Sequence, residues 1–233
     1  GQSSPASPGA DPNLPTDVGL NRFVWNYRQP NAMGLPGLIM WGGSLAGPRV
    51  VPGSYQVRLL VDGKTIATES FSIKADPRIA TTQEGFQKQF DFLTNTTAKI
   101  TATHAAILEI RDLRKQIEDI SARLKTDQKD LKDKAAEIAK KLTAVEEELM
   151  QTKIRSSQDA LNFPIKLNNK LAALASLVDG SDDAPTAQAY DVYNDLTAKI
   201  DAQLAALARI KSDDIAAFNR AYTDKGLPVI TTK

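Results

Sequence analysis

Residues Thr82 to Leu124 read TQEGFQKQFDFLTNTTAKITATHAAILEIRDLRKQIEDISARL, and this stretch organises the chain. Apolar or small residues fall at Phe86, Phe90, Leu93, Thr97, Ile100, His104 and Ile107, in alternating steps of four and three that keep one stripe on one helical face. After Ile107 the stripe slips and resumes as Ile110, Leu113, Ile117, Ile120 and Leu124. At about 1.5 Å per residue such a helix spans roughly 60 Å. A rod of that length cannot bury its stripe alone, and the slip marks the place where it would change packing partners. Thr81 or Thr82 is the expected N-cap, with Glu84 in the first turn facing the positive end of the helix dipole.

Downstream, the sequence supplies partners. Leu131, Ala135, Ile138, Leu142, Val145 and Leu149 alternate four and three without a fault, which predicts a second helix after a break near Thr126 and Asp127. Pro164 suits a first helical turn, so a third helix is expected from about Asn162, with Ile165, Leu167, Leu171, Leu174 and Val178 inward. A fourth begins near Pro185 or Thr186 and buries Tyr193, Leu196, Ile200, Leu204, Leu207, Ile210, Phe218 and Tyr222 before Gly226 and Pro228 stop it. Two long and two shorter helices with short connections suggest an up-and-down antiparallel bundle.

Upstream the texture is β. Phe23, Trp25 and Tyr27 alternate with Arg22, Val24, Asn26 and Arg28, as in a strand with one aromatic face. Residues 29–51 carry Pro30, Pro36, Pro48 and several glycines, which exclude a helix and leave Leu38-Ile39-Met40-Trp41 as the apolar anchor. Tyr55, Val57, Leu59 and Val61 alternate ahead of Asp62-Gly63, a pair suited to a tight hairpin turn, and the return strand runs from Lys64 to Lys74. A lone hairpin is marginal in water, so strands from residues 20–51 are expected to complete a small sandwich. Asp76-Pro77-Arg78 ends the β part. The expected organisation is therefore α+β and multidomain: a linker over 1–16, rich in Ser, Pro and Gly, a small immunoglobulin- or fibronectin-like β-sandwich over 17–79, and a bundle of about four helices over 80–233.

Composition excludes some functions. The 233 residues carry 29 basic and 28 acidic side chains, so no global field favours nucleic acid or an anionic surface. Cysteine is absent, which removes disulfides, zinc thiolates and cysteine nucleophiles. No apolar run approaches the roughly 18 residues of a membrane span. The chain opens at Gly1 without methionine and reads as a piece with a processed or engineered end.

Motifs for chemistry are sparse. His104 is the only histidine and sits in the helical stripe, without the Glu-x-x-His or His-x-x-x-His spacing of a metal site. It reads as a packed, structural histidine. The acidic run Asp179 to Asp183 lacks the spacing of an EF-hand loop and reads as a solvated turn, and Lys129 to Lys141 reads as a solvated helix face because acids interleave the lysines. No phosphate loop, nucleophile elbow or dinucleotide fingerprint is present, and no cofactor, metal or catalytic residue is assigned. Aromatics are the remaining signal. They are expected in a β core, with Trp41 the exception and the one candidate ligand contact, because it lies in a glycine-rich loop where a ring would stack on a sugar.

Three ordered blocks carry a resemblance: Gly19-Leu20-Asn21-Arg22-Phe23-Val24-Trp25-Asn26-Tyr27-Arg28, Pro52-Gly53-Ser54-Tyr55-Gln56-Val57, and Phe71-Ser72-Ile73-Lys74-Ala75-Asp76-Pro77-Arg78. With Leu167-Asn168-Asn169-Lys170-Leu171 and Ala184-Pro185-Thr186, they resemble the C-terminal region of secreted bacterial proteins with a sortilin-like, BNR-repeat β-propeller, usually labelled glycosyl hydrolases or sialidase-like. The resemblance covers about residues 17 to 230. It implies a sandwich and a bundle placed after a propeller in the same polypeptide, and an extracellular or periplasmic location. Hydrolase residues of such a family would lie in the propeller, so none falls on this chain. The reading is a non-catalytic accessory module supporting that propeller or contacting a protein. Alternatives are a carbohydrate-binding module using exposed aromatics, and a hydrolase with its site in the bundle.

Overall fold

The computed structural model describes residues 14–224. Helix α1 spans Gln83–Ser121, α2 Lys129–Leu149, α3 Leu167–Asp179, and α4 Ala187–Arg209, which runs through a π-helical stretch, Ile210–Ile215, into α5, Ala216–Thr223. Strands β1, Gly53–Val61, and β2, Lys64–Ile73, form the single sheet among the described residues. Thr82 caps α1, its Oγ1 accepting from the Gly85 N–H at 3.1 Å, and Thr186 caps α4 by accepting from the Ala189 N–H at 3.2 Å. The third helix starts five residues later than its expected start, with Lys166 at its N-cap, so Pro164 lies before the helix and not in its first turn.

Side-chain pairs give the helix directions. Arg111 and Arg114 of α1 reach Glu146 of α2, and Arg114 also reaches Thr143, so a step up α1 is a step down α2. Asn168 of α3 meets His104, while Gln89 bonds the carbonyl of Val178, so α3 also runs antiparallel to α1. In the last helix Tyr190 and Tyr193 pack on Phe92, Asp201 pairs with Lys99, and Lys211 pairs with Glu109, which makes α4 parallel to α1. The helices therefore form three columns: α1, then α2 followed by α3, then α4 with α5. The middle column is broken at residues 150–166. Where α1 passes from α3 to α2 lies between His104 and Arg111, and that is the position of the slip between Ile107 and Ile110, both fully buried.

The expected β-sandwich does not form. The sheet has two strands, paired antiparallel from Gly53↔Ile73 to Val61↔Lys64 with an irregularity at Leu59/Leu60. The hairpin turn is as the sequence predicts, with Asp62 at φ 49° and Gly63 at φ 75°. The strand expected at residues 22–28 is irregular. Tyr27 has φ 59°, a left-handed geometry no strand accommodates, and the backbone beyond it pairs with the returning loop instead: Val50 N–H donates to Tyr27 O at 2.8 Å and Gln29 N–H to Pro48 O at 2.9 Å. Residues 29–51 then cross the helices as a strap, burying Ala32 and Leu35 in the same core as α1 and α3. The segment that was to complete the sheet is held by helices.

Candidate functional site

Two regions bear on function: the polar clamp that fixes the strap to the bundle, and the hairpin that projects from it.

The clamp is built at the C-terminus of α3, whose last carbonyls need donors and whose dipole favours a cation. Arg49 Nη2 donates to the carbonyls of Asp179 at 2.8 Å and Ser181 at 3.2 Å, and its Nη1 lies 3.1 Å from Asp182 Oδ1. Arg28 forks onto the Asp179 carboxylate at 2.7 and 3.2 Å while donating to Gly47 O at 2.8 Å. Gln89, buried on α1, donates both to Val178 O at 2.9 Å and to Ser181 O at 2.6 Å, and Thr81 Oγ1 donates to Asp183 Oδ1 at 2.8 Å. The acidic run is thus a receptor for the strap's arginines, not the solvated turn its composition suggests. Among the described residues no group of three or more His, Asp or Glu side chains is arranged to hold a metal ion.

His104 lies below this clamp with 0% exposure. Its Nδ1 donates to Met33 O at 2.5 Å, and its Nε2 accepts from Asn168 Nδ2 at 3.2 Å, the tautomer that lets Asn168 act as donor. Burial lowers its pKa below the ordinary value of 6.5, against the opposing pull of the Met33 carbonyl. With both nitrogens engaged, this ring ties strap to helices. Met33 N–H donates in turn to Thr101 Oγ1 at 3.1 Å.

Trp41 also sits on the strap. Asn169 of α3 bonds both polar groups of its backbone, and the residue is 41% exposed. The structure leaves it apart from the other aromatics. Those gather at the root of the hairpin, where Trp25 packs against Tyr27, Tyr55 and Phe71 with ring centroids 5.5, 6.3 and 6.3 Å away, and Tyr55 stacks on Phe71 at 5.9 Å. Burial raises the Tyr55 pKa, and its hydroxyl donates to Val51 O at 2.6 Å.

Beyond that root the hairpin is bare. Strand alternation sets Tyr55, Val57 and Leu59 on one face, paired with Phe71, Glu69 and Ala67, so an apolar row on β1 continues the aromatic cluster outward beside Glu69 of β2, while Leu60 falls on the opposite face. Val57, Leu59, Leu60, Val61 and Ile66 are 39% to 60% exposed. Both strands pair only with each other among the described residues, leaving two open backbone edges. Sequence alternation shows an apolar face here; nothing local shows that it stays uncovered, because residues 29–51, expected to help cover it, pack on the helices instead.

Set against known proteins, no family model matches the chain, no curated protein matches it, and no solved structure matches it. No helix among the described residues is long and apolar enough to cross a membrane.

Proposed function

We propose that this chain is a non-catalytic accessory module of a larger secreted polypeptide, in which the outer half of the hairpin docks a neighbouring β-structured unit and the helical columns support it. The observation that carries the reading is the bare strip from Val57 to Val61. Two open edges and an uncovered apolar face are what proteins ordinarily hide, since they template unwanted pairing. A ribbon of nine and ten residues with that face exposed is best explained as half of an interface.

The occupant favoured is a β-propeller preceding residue 1, as the resemblance of the ordered blocks implies. The position of Trp25 supports it, because the described chain approaches the hairpin at its aromatic root, and a unit carried upstream would be delivered beside the strip.

Photo-crosslinking tests the reading. A benzophenone side chain placed at Leu59 in the polypeptide that includes the sequence preceding Gly1 is expected to crosslink to that upstream sequence. Crosslinks confined to this chain, or none, would overturn it.

A further inference from the structure

A cleft of about 420 Å³ opens at the root of the hairpin, between β2, the start of α1 and the clamp. Its size falls within the roughly 300–1,000 Å³ of small-molecule sites. It is distinct from the outer strip proposed for docking. We infer that it is a binding site for a neutral saccharide.

The chemistry of the lining makes the selection. Tyr27, Phe71 and Phe86 supply ring surface, and Tyr27 is 55% exposed at a left-handed φ of 59°. A bulky residue in that geometry costs energy, and such strain concentrates at ligand sites. The Tyr27 ring packs on Trp25 at 5.5 Å between centroids, and more than half of the residue stays open to solvent beside the cleft. Sugars present C–H faces that lie against aromatic rings and hydroxyls that need paired donors and acceptors.

Those pairs are present. Arg49 and Asp182 pair with each other on the wall, Nη1 3.1 Å from Oδ1, so a sugar hydroxyl would insert beside a formed ion pair and share its charged donor and acceptor. Gln89 commits its amide hydrogens to Val178 and Ser181, leaving its carbonyl oxygen as a further acceptor on the wall. The charges cancel, Arg49 and Lys74 against Asp76 and Asp182, so an ionic ligand gains nothing from the cleft as a whole. An uncharged, polyhydroxylated ring is the ligand that uses both the rings and the mixed polar wall. Trp41 does not line the cleft and takes no part.

Saturation-transfer NMR and calorimetric titration of the chain with maltose, cellobiose, lactose and N,N′-diacetylchitobiose test the inference. Binding of at least one in the millimolar range is expected, weakened roughly tenfold or more by Tyr27→Gly, which keeps the left-handed backbone while removing the ring. Asp182→Asn, nearly isosteric, is expected to weaken it as well and guards against a folding defect in the first variant. Trp41→Ala is expected to leave it unchanged. No binding of any of the four, binding insensitive to both Tyr27→Gly and Asp182→Asn, binding lost in Trp41→Ala, or response only to a sialylated or sulfated sugar would each overturn the inference.

Discussion

Asn169 holds the backbone of Trp41 as a neighbouring strand would: the Trp41 N–H donates to Asn169 Oδ1 and Asn169 Nδ2 donates to the Trp41 carbonyl, both at 2.8 Å. A helix side chain thereby supplies the pairing that the strap's backbone does not find in a sheet. Because Asn169 is 5% exposed, water does not readily replace it. Asn169→Ala is expected to cost about 1–3 kcal/mol in urea denaturation. It should also shift the emission of the two tryptophans as Trp41 is released. An unchanged midpoint would show that the Asn169 pairing adds nothing to the strap's attachment.

The same strap closes on itself at Gly47. A methyl there would overlap the carbonyl oxygens of Gln29 and Pro30, which are backbone and cannot swing away. Gly47→Ala is expected to lower thermal stability by several degrees, whereas Gly37→Ala, in open space, loses only what its positive φ of 71° requires. Equal effects would contradict the close approach.

Glu146 is 1% exposed and lies 2.7 Å from Arg111 Nε and 2.8 Å from Arg114 Nη1, whose side chains are 31% and 27% exposed. The burden of an unpaired charge falls on the carboxylate, since the guanidiniums can turn to water. The double substitution Arg111→Met with Arg114→Met, which strands the carboxylate, is expected to destabilise by about 3 kcal/mol and Glu146→Gln by less, measured by denaturant midpoints. The reverse order would mean that the arginines are the buried partners in solution.

Burial lowers the His104 pKa, so the unfolded chain binds a proton at higher pH than the folded one. The stability that follows from keeping the ring neutral is present above the ordinary value of 6.5 and is lost as pH falls below it toward the folded pKa. Thermal midpoints should therefore drop on acidification below about pH 6.5. The His104→Gln variant should be less stable at neutral pH and show a shallower acid limb, by up to about 1.4 kcal/mol per pH unit. Parallel pH profiles for the two proteins would contradict a buried, neutral His104.

The helices were legible because their periodicity is local and strong. Even the slip between Ile107 and Ile110 was readable, and it coincides with the exchange of α3 for α2 against α1. The stripe itself was read imperfectly near its start. Phe86, Phe90 and Thr97 are half-buried, while Gln89, Phe92 and Thr96 are inside. Thr96 and Thr103 hide their hydroxyls by donating to the carbonyls four residues back, Phe92 and Lys99, which lets a polar residue occupy a core position. The sandwich fails to form for a different reason. Alternation at Phe23, Trp25 and Tyr27 is a strand pattern, but nothing local shows that Tyr27 turns left-handed or that Arg28 and Arg49 are claimed by Asp179, some 130 to 150 positions away. Long-range ion pairs carry no signature in one sequence. The cleft at the hairpin root was equally hidden, because Tyr27, Phe86 and Asp182 come from three separate segments.

If a neighbouring unit docks on the outer hairpin, as proposed, the open edges of β1 and β2 are covered in the longer polypeptide. Hydrogen exchange at the amides of β1 and β2 that face away from each other measures that cover, in this chain and in a longer polypeptide carrying the proposed upstream unit. Rapid exchange at residues 57–61 and 64–67 is expected in the isolated chain, with strong protection in the longer one. Equal, rapid exchange in both would contradict it.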